Sequence, residues 1–160
     1  MANSGGGAFL PSEVSINGMI PGTAFGGSGV VVKTAVVQIN GNALAGMTSG
    51  IQAWQNPEAV DILIHRVILD VTTVATGACT LDVGYTATSA ATTSDTFLDG
   101  VDVNSAIGVF DSMNAALDSG ANANCQKAAI GKWVTIDEKT GDAEGMVATL
   151  YIQYSLTVAA

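Results

Sequence analysis

From Met146 to Val158 every second side chain is apolar. Met146, Ala148, Leu150, Ile152, Tyr154, Leu156 and Val158 form one row, and Thr149, Gln153, Ser155 and Thr157 face the other way. Successive side chains of a strand point to opposite faces, so this period of two specifies a strand covered on one side only. Such a strand needs a second layer against which to bury its row. The chain must therefore build at least two β-layers.

Other segments supply the remaining strands. Val30 to Ile39 is β-branched, and Asn40-Gly41 ends it as a turn dipeptide. Asn42 to Gly50 reads as loop, Ile51 to Trp54 as a short strand, and Asn56-Pro57 as a turn. Ala59 to Ala75 is apolar on both faces at first, as for a strand covered on both sides, and is long enough to need a bend or bulge. After Thr76-Gly77, Ala78 to Thr88 sets Cys79, Leu81, Val83 and Tyr85 against Thr80, Asp82 and Gly84, and the two segments read as a hairpin. Ser89 to Gly131 reads as a long irregular excursion, with a short helix over Asp111 to Gly120. Lys132 to Lys139 gives one more strand before the last. Several strands, Gly-rich turns and one long loop predict an all-β fold, an antiparallel β-sandwich of jelly-roll type.

The first 29 residues are different. Gly5-Gly6-Gly7, Pro11, Pro21 and Gly26-Gly27-Ser28-Gly29 exclude a helix or a long central strand. Between them stand isolated apolar anchors: Phe9, Leu10, Val14, Ile16, Met19, Ile20 and Phe25. Pure linkers lack such anchors. We expect residues 1–29 to form an extended arm that lies on a partner, with a reach of about 90–100 Å when stretched, and residues 30–160 to form the β-sandwich domain.

Composition bounds the partners. Charged residues are 12% of the 160, about half the usual share, and the net charge is -9. Lys33, Arg66, Lys127, Lys132 and Lys139 are too few and too scattered to replace counterions along a nucleic acid. No apolar run is long enough to span a membrane as a helix. The opening Met1-Ala2-Asn3-Ser4 has neither the basic nor the apolar segment of an export signal, although the composition suits the cell exterior. The expectation is release inside a particle.

Catalytic and metal signatures are sparse. His65 is the single histidine and reads as a structural or interface residue. Zinc needs several Cys or His ligands, and the chain has three such residues in all. Asp95, Asp99 and Asp102, with Asn104, are the best oxygen-ligand group for Ca²⁺, but turn formation explains the same residues. Asp137 and Glu138 are adjacent in a strand and so face apart, while Asp142 and Glu144 sit in a turn. Trp54 and Trp133 read as core or interface packing before any sugar platform. Cys79 reads as a buried thiol, and a Cys79–Cys125 disulfide is left open by the spacing. The reading is of a non-enzyme without cofactor.

Residues 60–155 resemble small tailed-phage virion proteins. The resemblance rests on Val71-Thr72-Thr73-Val74-Ala75-Thr76-Gly77-Ala78-Cys79-Thr80-Leu81-Asp82-Val83-Gly84-Tyr85, on Asp99-Gly100-Val101-Asp102 with Gly108-Val109-Phe110-Asp111, and on Gly131-Lys132-Trp133-Val134-Thr135 with Gly145-Met146-Val147-Ala148. It implies a capsid decoration (cement) protein on the outer surface of the virion. The implied partners are the major capsid protein and further copies of itself, as dimers or trimers. Competing readings are a host- or glycan-binding head-fibre module, a self-assembling shell or pilus subunit, and a depolymerase-type enzyme.

Overall fold

A computed structural model of the chain describes residues 31–45, 50–86, 94–114 and 125–157. The described residues form nine strands in order: β1 Val32–Asn40, β2 Ile51–Gln55, β3 Ile62–Thr73, β4 Cys79–Thr86, β5 Leu98–Asp102, β6 Gly108–Asp111, β7 Gln126–Ala128, β8 Trp133–Gly141 and β9 Val147–Leu156. Among the described residues there is no α-helix, only a 3-10 turn at Gly41–Ala43.

The strands form two antiparallel sheets. One runs β1-β9-β3-β6, with β7 also on β3; the other runs β2-β8-β4-β5. Early strands meet late ones in nested pairs: β1 with β9, β2 with β8, β3 with β6, and β4 with β5. This is a long antiparallel ribbon rolled so that its successive strand pairs fall in alternate sheets, the jelly-roll topology expected from the sequence. The core lies between the sheets. On the first sheet it is lined by Ile39, Ile62, Ile64, Val67, Leu69, Val71, Leu150 and Ile152, and on the second by Leu81, Val83, Leu98, Val101, Val134 and Ile136, all 3% exposed or less.

The alternating row of β9 is buried from Met146 through Tyr154, and Leu156 at its end is exposed. β3 carries the expected irregularity, with register shifts between Ile64 and Arg66 and between Val71 and Thr73. The first shift corrects the reading of its faces. Its buried residues are Ile62 and Ile64 before the bulge, then Val67, Leu69 and Val71 after it. The extra residue, His65, moves the core face from even to odd positions. What looked like a strand covered on both sides is one core face that changes parity.

Two further readings are corrected. β3 and β4 are not a hairpin, because they lie in different sheets. The corner between them is held by other elements: Ala75 N–H donates to Val103 O at 3.0 Å, and Thr76 N–H to Glu144 O at 2.9 Å. The Ser89 to Gly131 excursion contains β5, β6 and β7. These strands of three to five residues gain their order from pairing with β3 and β4, and so short a segment carries almost no periodic signal. Asp111, read as a helix cap, ends β6; residues 115–120 of that predicted helix lie outside the described residues.

Candidate functional site

The seven arm residues, Phe9, Leu10, Val14, Ile16, Met19, Ile20 and Phe25, lie outside the described residues, as do all of residues 1–30. What can be built from the described residues is the body and its two outer sheet faces, and these differ sharply.

The outer face of the β2-β8-β4-β5 sheet is closed by its own chain. Asp82, Thr86, Thr135 and Asp137 all point outward yet are 7%, 4%, 1% and 4% exposed. Gly84 explains part of this: a Cβ there would run into Ser94, whose backbone lies directly on the strand. The Ser94 hydroxyl donates to Tyr85 O and accepts from Tyr85 N–H, both at 3.1 Å. Asp82 and Asp137 are opposite each other on adjacent strands. Asp82 accepts from Gly100 N–H at 2.7 Å, and Lys139 stands 3.9 Å from it while pairing with Asp99. Burial pushes both carboxyls, Asp82 and Asp137, above the ordinary aspartate range.

The calcium candidates are not gathered. Asp99 is committed to Lys139. Asp102 accepts from Asn104 N–H at 2.9 Å, from Ser105 N–H at 3.0 Å and from the Ser105 hydroxyl, an Asx turn that holds its carboxyl below the usual range. Asp95 is exposed. Among the described residues no three His, Cys, Asp or Glu side chains are close enough to share a metal ion. Glu138 faces away from Asp137 and accepts from Ala143 N–H at 2.6 Å; Asp142 accepts from Glu144 N–H at 2.9 Å. Both are turn-building roles.

His65, placed on the outer side of β3 by the bulge, meets the Ser155 hydroxyl through Nε2 at 2.7 Å and the Cys125 thiol through Nδ1 at 3.8 Å. Ser155, near the end of β9, is 3% exposed, so its hydroxyl offers no open approach to a substrate. The contact braces the bulge against β9. Both cysteines are free thiols. Burial raises Cys79 to about 11, which suits a small core residue. Trp54 packs on Tyr154 with ring centroids 5.2 Å apart.

The outer face of the β1-β9-β3-β6 sheet is the open one. The strand register sets its rows: Thr34, Gln153 and Arg66; Val36, Tyr151, Ile68 and Asp111; Gln38, Thr149, Asp70 and Val109; Asn40, Val147 and Thr73. Val32, Val36, Val109 and Val147 are 58%, 57%, 60% and 41% exposed. Charges on this face are largely tied up. Arg66 forms a two-pronged pair with Asp111, its Nε at 2.9 Å from Oδ1. The guanidinium holds the Asp111 carboxyl below its usual range. Nearby, Lys127 pairs with Asp61 at 2.9 Å. At the β1 edge Lys33 meets Glu58 at 2.7 Å, and Glu58 also accepts from the Tyr154 hydroxyl at 3.0 Å. The result is a broad, nearly neutral surface of valine, threonine, glutamine and tyrosine, with Asp70 as its remaining carboxylate, on a chain of net charge -9. Sequence reasoning found the alternation but not this face. Its rows come from strand register, which no local pattern encodes.

No family model matches the sequence, and no curated protein matches it. The fold does match solved structures. It superposes on a chain of the acidic stable capsid of Helicobacter pylori bacteriophage KHP30 with a TM-score of 0.52 and 19% identity, covering 79% of this chain and 88% of that one. A chain of the cyanophage Pam1 capsid asymmetric unit gives a TM-score of 0.54 and 14% identity, covering 94% and 99%. At these identities the shared property is the fold: this chain has the same jelly-roll architecture as chains found in two phage capsids.

Proposed function

We propose that this protein is a non-catalytic structural component of a phage virion that binds the outer surface of the capsid and stabilises it. The observation that carries the reading is the open, sparsely charged face of the β1-β9-β3-β6 sheet, on a fold shared with chains of two phage capsids. A free protein usually keeps more surface charge for solubility. A face this neutral suits a body that neighbours cover. The paired Asp82 and Asp137 of the other sheet are buried, which weighs against the depolymerase reading.

In this reading the β-body is rigid, and residues 1–29 grip the major capsid protein through Phe9, Leu10, Val14, Ile16, Met19, Ile20 and Phe25. Binding only the assembled shell stabilises it by mass action. Copies associate as dimers or trimers, so that several arms engage together and weak contacts add up by avidity. The acidic chain faces away from the genome.

The test is co-sedimentation with undecorated shells of the same phage. The full chain should pellet with shells. A chain lacking residues 1–29 should keep its β-sheet circular dichroism and cooperative melting, while its pelleted fraction drops to the level without shells. Undiminished binding after the deletion refutes the arm as the grip. No binding by the full chain refutes the capsid reading.

A further inference from the structure

A sandwich exposes strand edges, and natural proteins blunt them with short strands, bulges, charges or proline. Here three of the four sheet margins are blunted in that way. The β6 and β7 margin of the first sheet offers strands of four and three residues. In the second sheet β2 carries a register shift between Gln52 and Trp54, and β5 is five residues long with a shift opposite Leu81 and Val83.

β1 is the exception. It pairs with β9 through nine consecutive residues, Val32 with Ser155 to Asn40 with Val147, without a shift. It contains no proline, and its single charge, Lys33, is tied to Glu58. β9 behind it carries no charged residue at all. Among the described residues β1 has β9 as its only strand partner, so its far edge offers backbone N–H and C=O groups along about 30 Å. Backbone groups in that arrangement select another extended strand.

We propose that the β1 edge pairs with the β1 edge of a second copy, antiparallel about a two-fold axis midway between the two copies of Val36. The sequence of β1 fits itself in that register. Val36 meets Val36, Thr34 meets Gln38, Val32 meets Asn40, Ala35 meets Val37, and Lys33 meets Ile39. No like charges face each other, which the chain's net charge of -9 makes hard to achieve elsewhere on the surface. The Val36 pair, each 57% exposed in the single chain, would form the centre of the seam. The sheets of the two copies would join into one continuous sheet with the neutral face running across both. This deepens the self-association part of the function proposed above and does not depend on capsid attachment.

The experiment is sedimentation velocity on the purified full chain without capsid, across micromolar to millimolar concentration. The wild type should dimerise. Val36→Lys and Val36→Glu each place like charges across the axis, on a side chain that the core does not need, and should weaken the dimer by at least about tenfold while thermal melting still shows a folded body. Mixing the two variants should restore the dimer, because lysine then faces glutamate. A wild type that stays monomeric, an oligomer that neither variant weakens, or a mixture that stays monomeric overturns the proposal.

Discussion

Asp137 sits opposite Asp82 and is 4% exposed. Like charges across a strand pair are destabilising, and burial raises both carboxyls above their ordinary range. A carboxyl raised in the folded state binds its proton more tightly there than in the unfolded chain. Its contribution is therefore full below the ordinary aspartate value of about 3.9 and is lost as pH rises through the higher folded value. Asp111, Glu58, Asp61 and Asp102 work in the opposite sense, each lowered first by a side-chain hydrogen bond, to Arg66, Lys33, Lys127 and Ser105 respectively. Their stabilisation is present above the ordinary carboxylate range and is lost as pH falls. Denaturant midpoints should accordingly rise as pH drops from 7 toward about 4 and fall below that. Asp137→Asn should stabilise the protein at pH 7 by about 0.5–1 kcal/mol and flatten the rise. A midpoint lowered by that substitution at pH 7 would mean that the carboxylate is stabilising as it stands.

At the scale of elements, the strands with long alternation were legible and the short ones were not. β9 follows the alternation of its sequence because ten residues of period two leave one choice of buried face. β5, β6 and β7 were missed because their order is borrowed from β3 and β4, several dozen residues away. The bulge was foreseeable from the length of the β3 segment. Its position was not, because Ile62, Leu63 and Ile64 fit either face until His65 is displaced. The hairpin reading failed at Thr76-Gly77 for a related reason: a turn signal says that the chain bends, not that the strands on either side pair. Of the site residues, the turn-building acids were legible, whereas the Asp82–Asp137 pairing and the neutral rows needed the register. One turn allows a direct test. Gly141 ends β8 at a φ of 76°, and a Cβ there would collide with the carbonyl of Ala78. Gly141→Ala should cost about 1–3 kcal/mol in denaturant unfolding. A loss within a few tenths would show that β8 can shift away from β4.

For the whole molecule, nested pairing makes most structural contacts long-range. β1 closes on β9 across 111 positions, as the Gln38–Thr149 side-chain bond illustrates, and topologies of this kind fold slowly because loop closure precedes its reward. Leu150 and Ile152, both fully buried in β9, should therefore matter out of proportion to their number. Leu150→Ala should cost about 2–5 kcal/mol, and a loss under about 1 kcal/mol would mean that the core collapses around the gap. β9 also lies between β1 and β3, as the inner strand that joins the beginning of the body to its middle. A ribosome still short of Val147 holds a chain whose first sheet has no centre. A product that stops before Val147 lacks the strand that bridges β1 and β3, so it should fail to assemble the first sheet and should be cut readily by proteases.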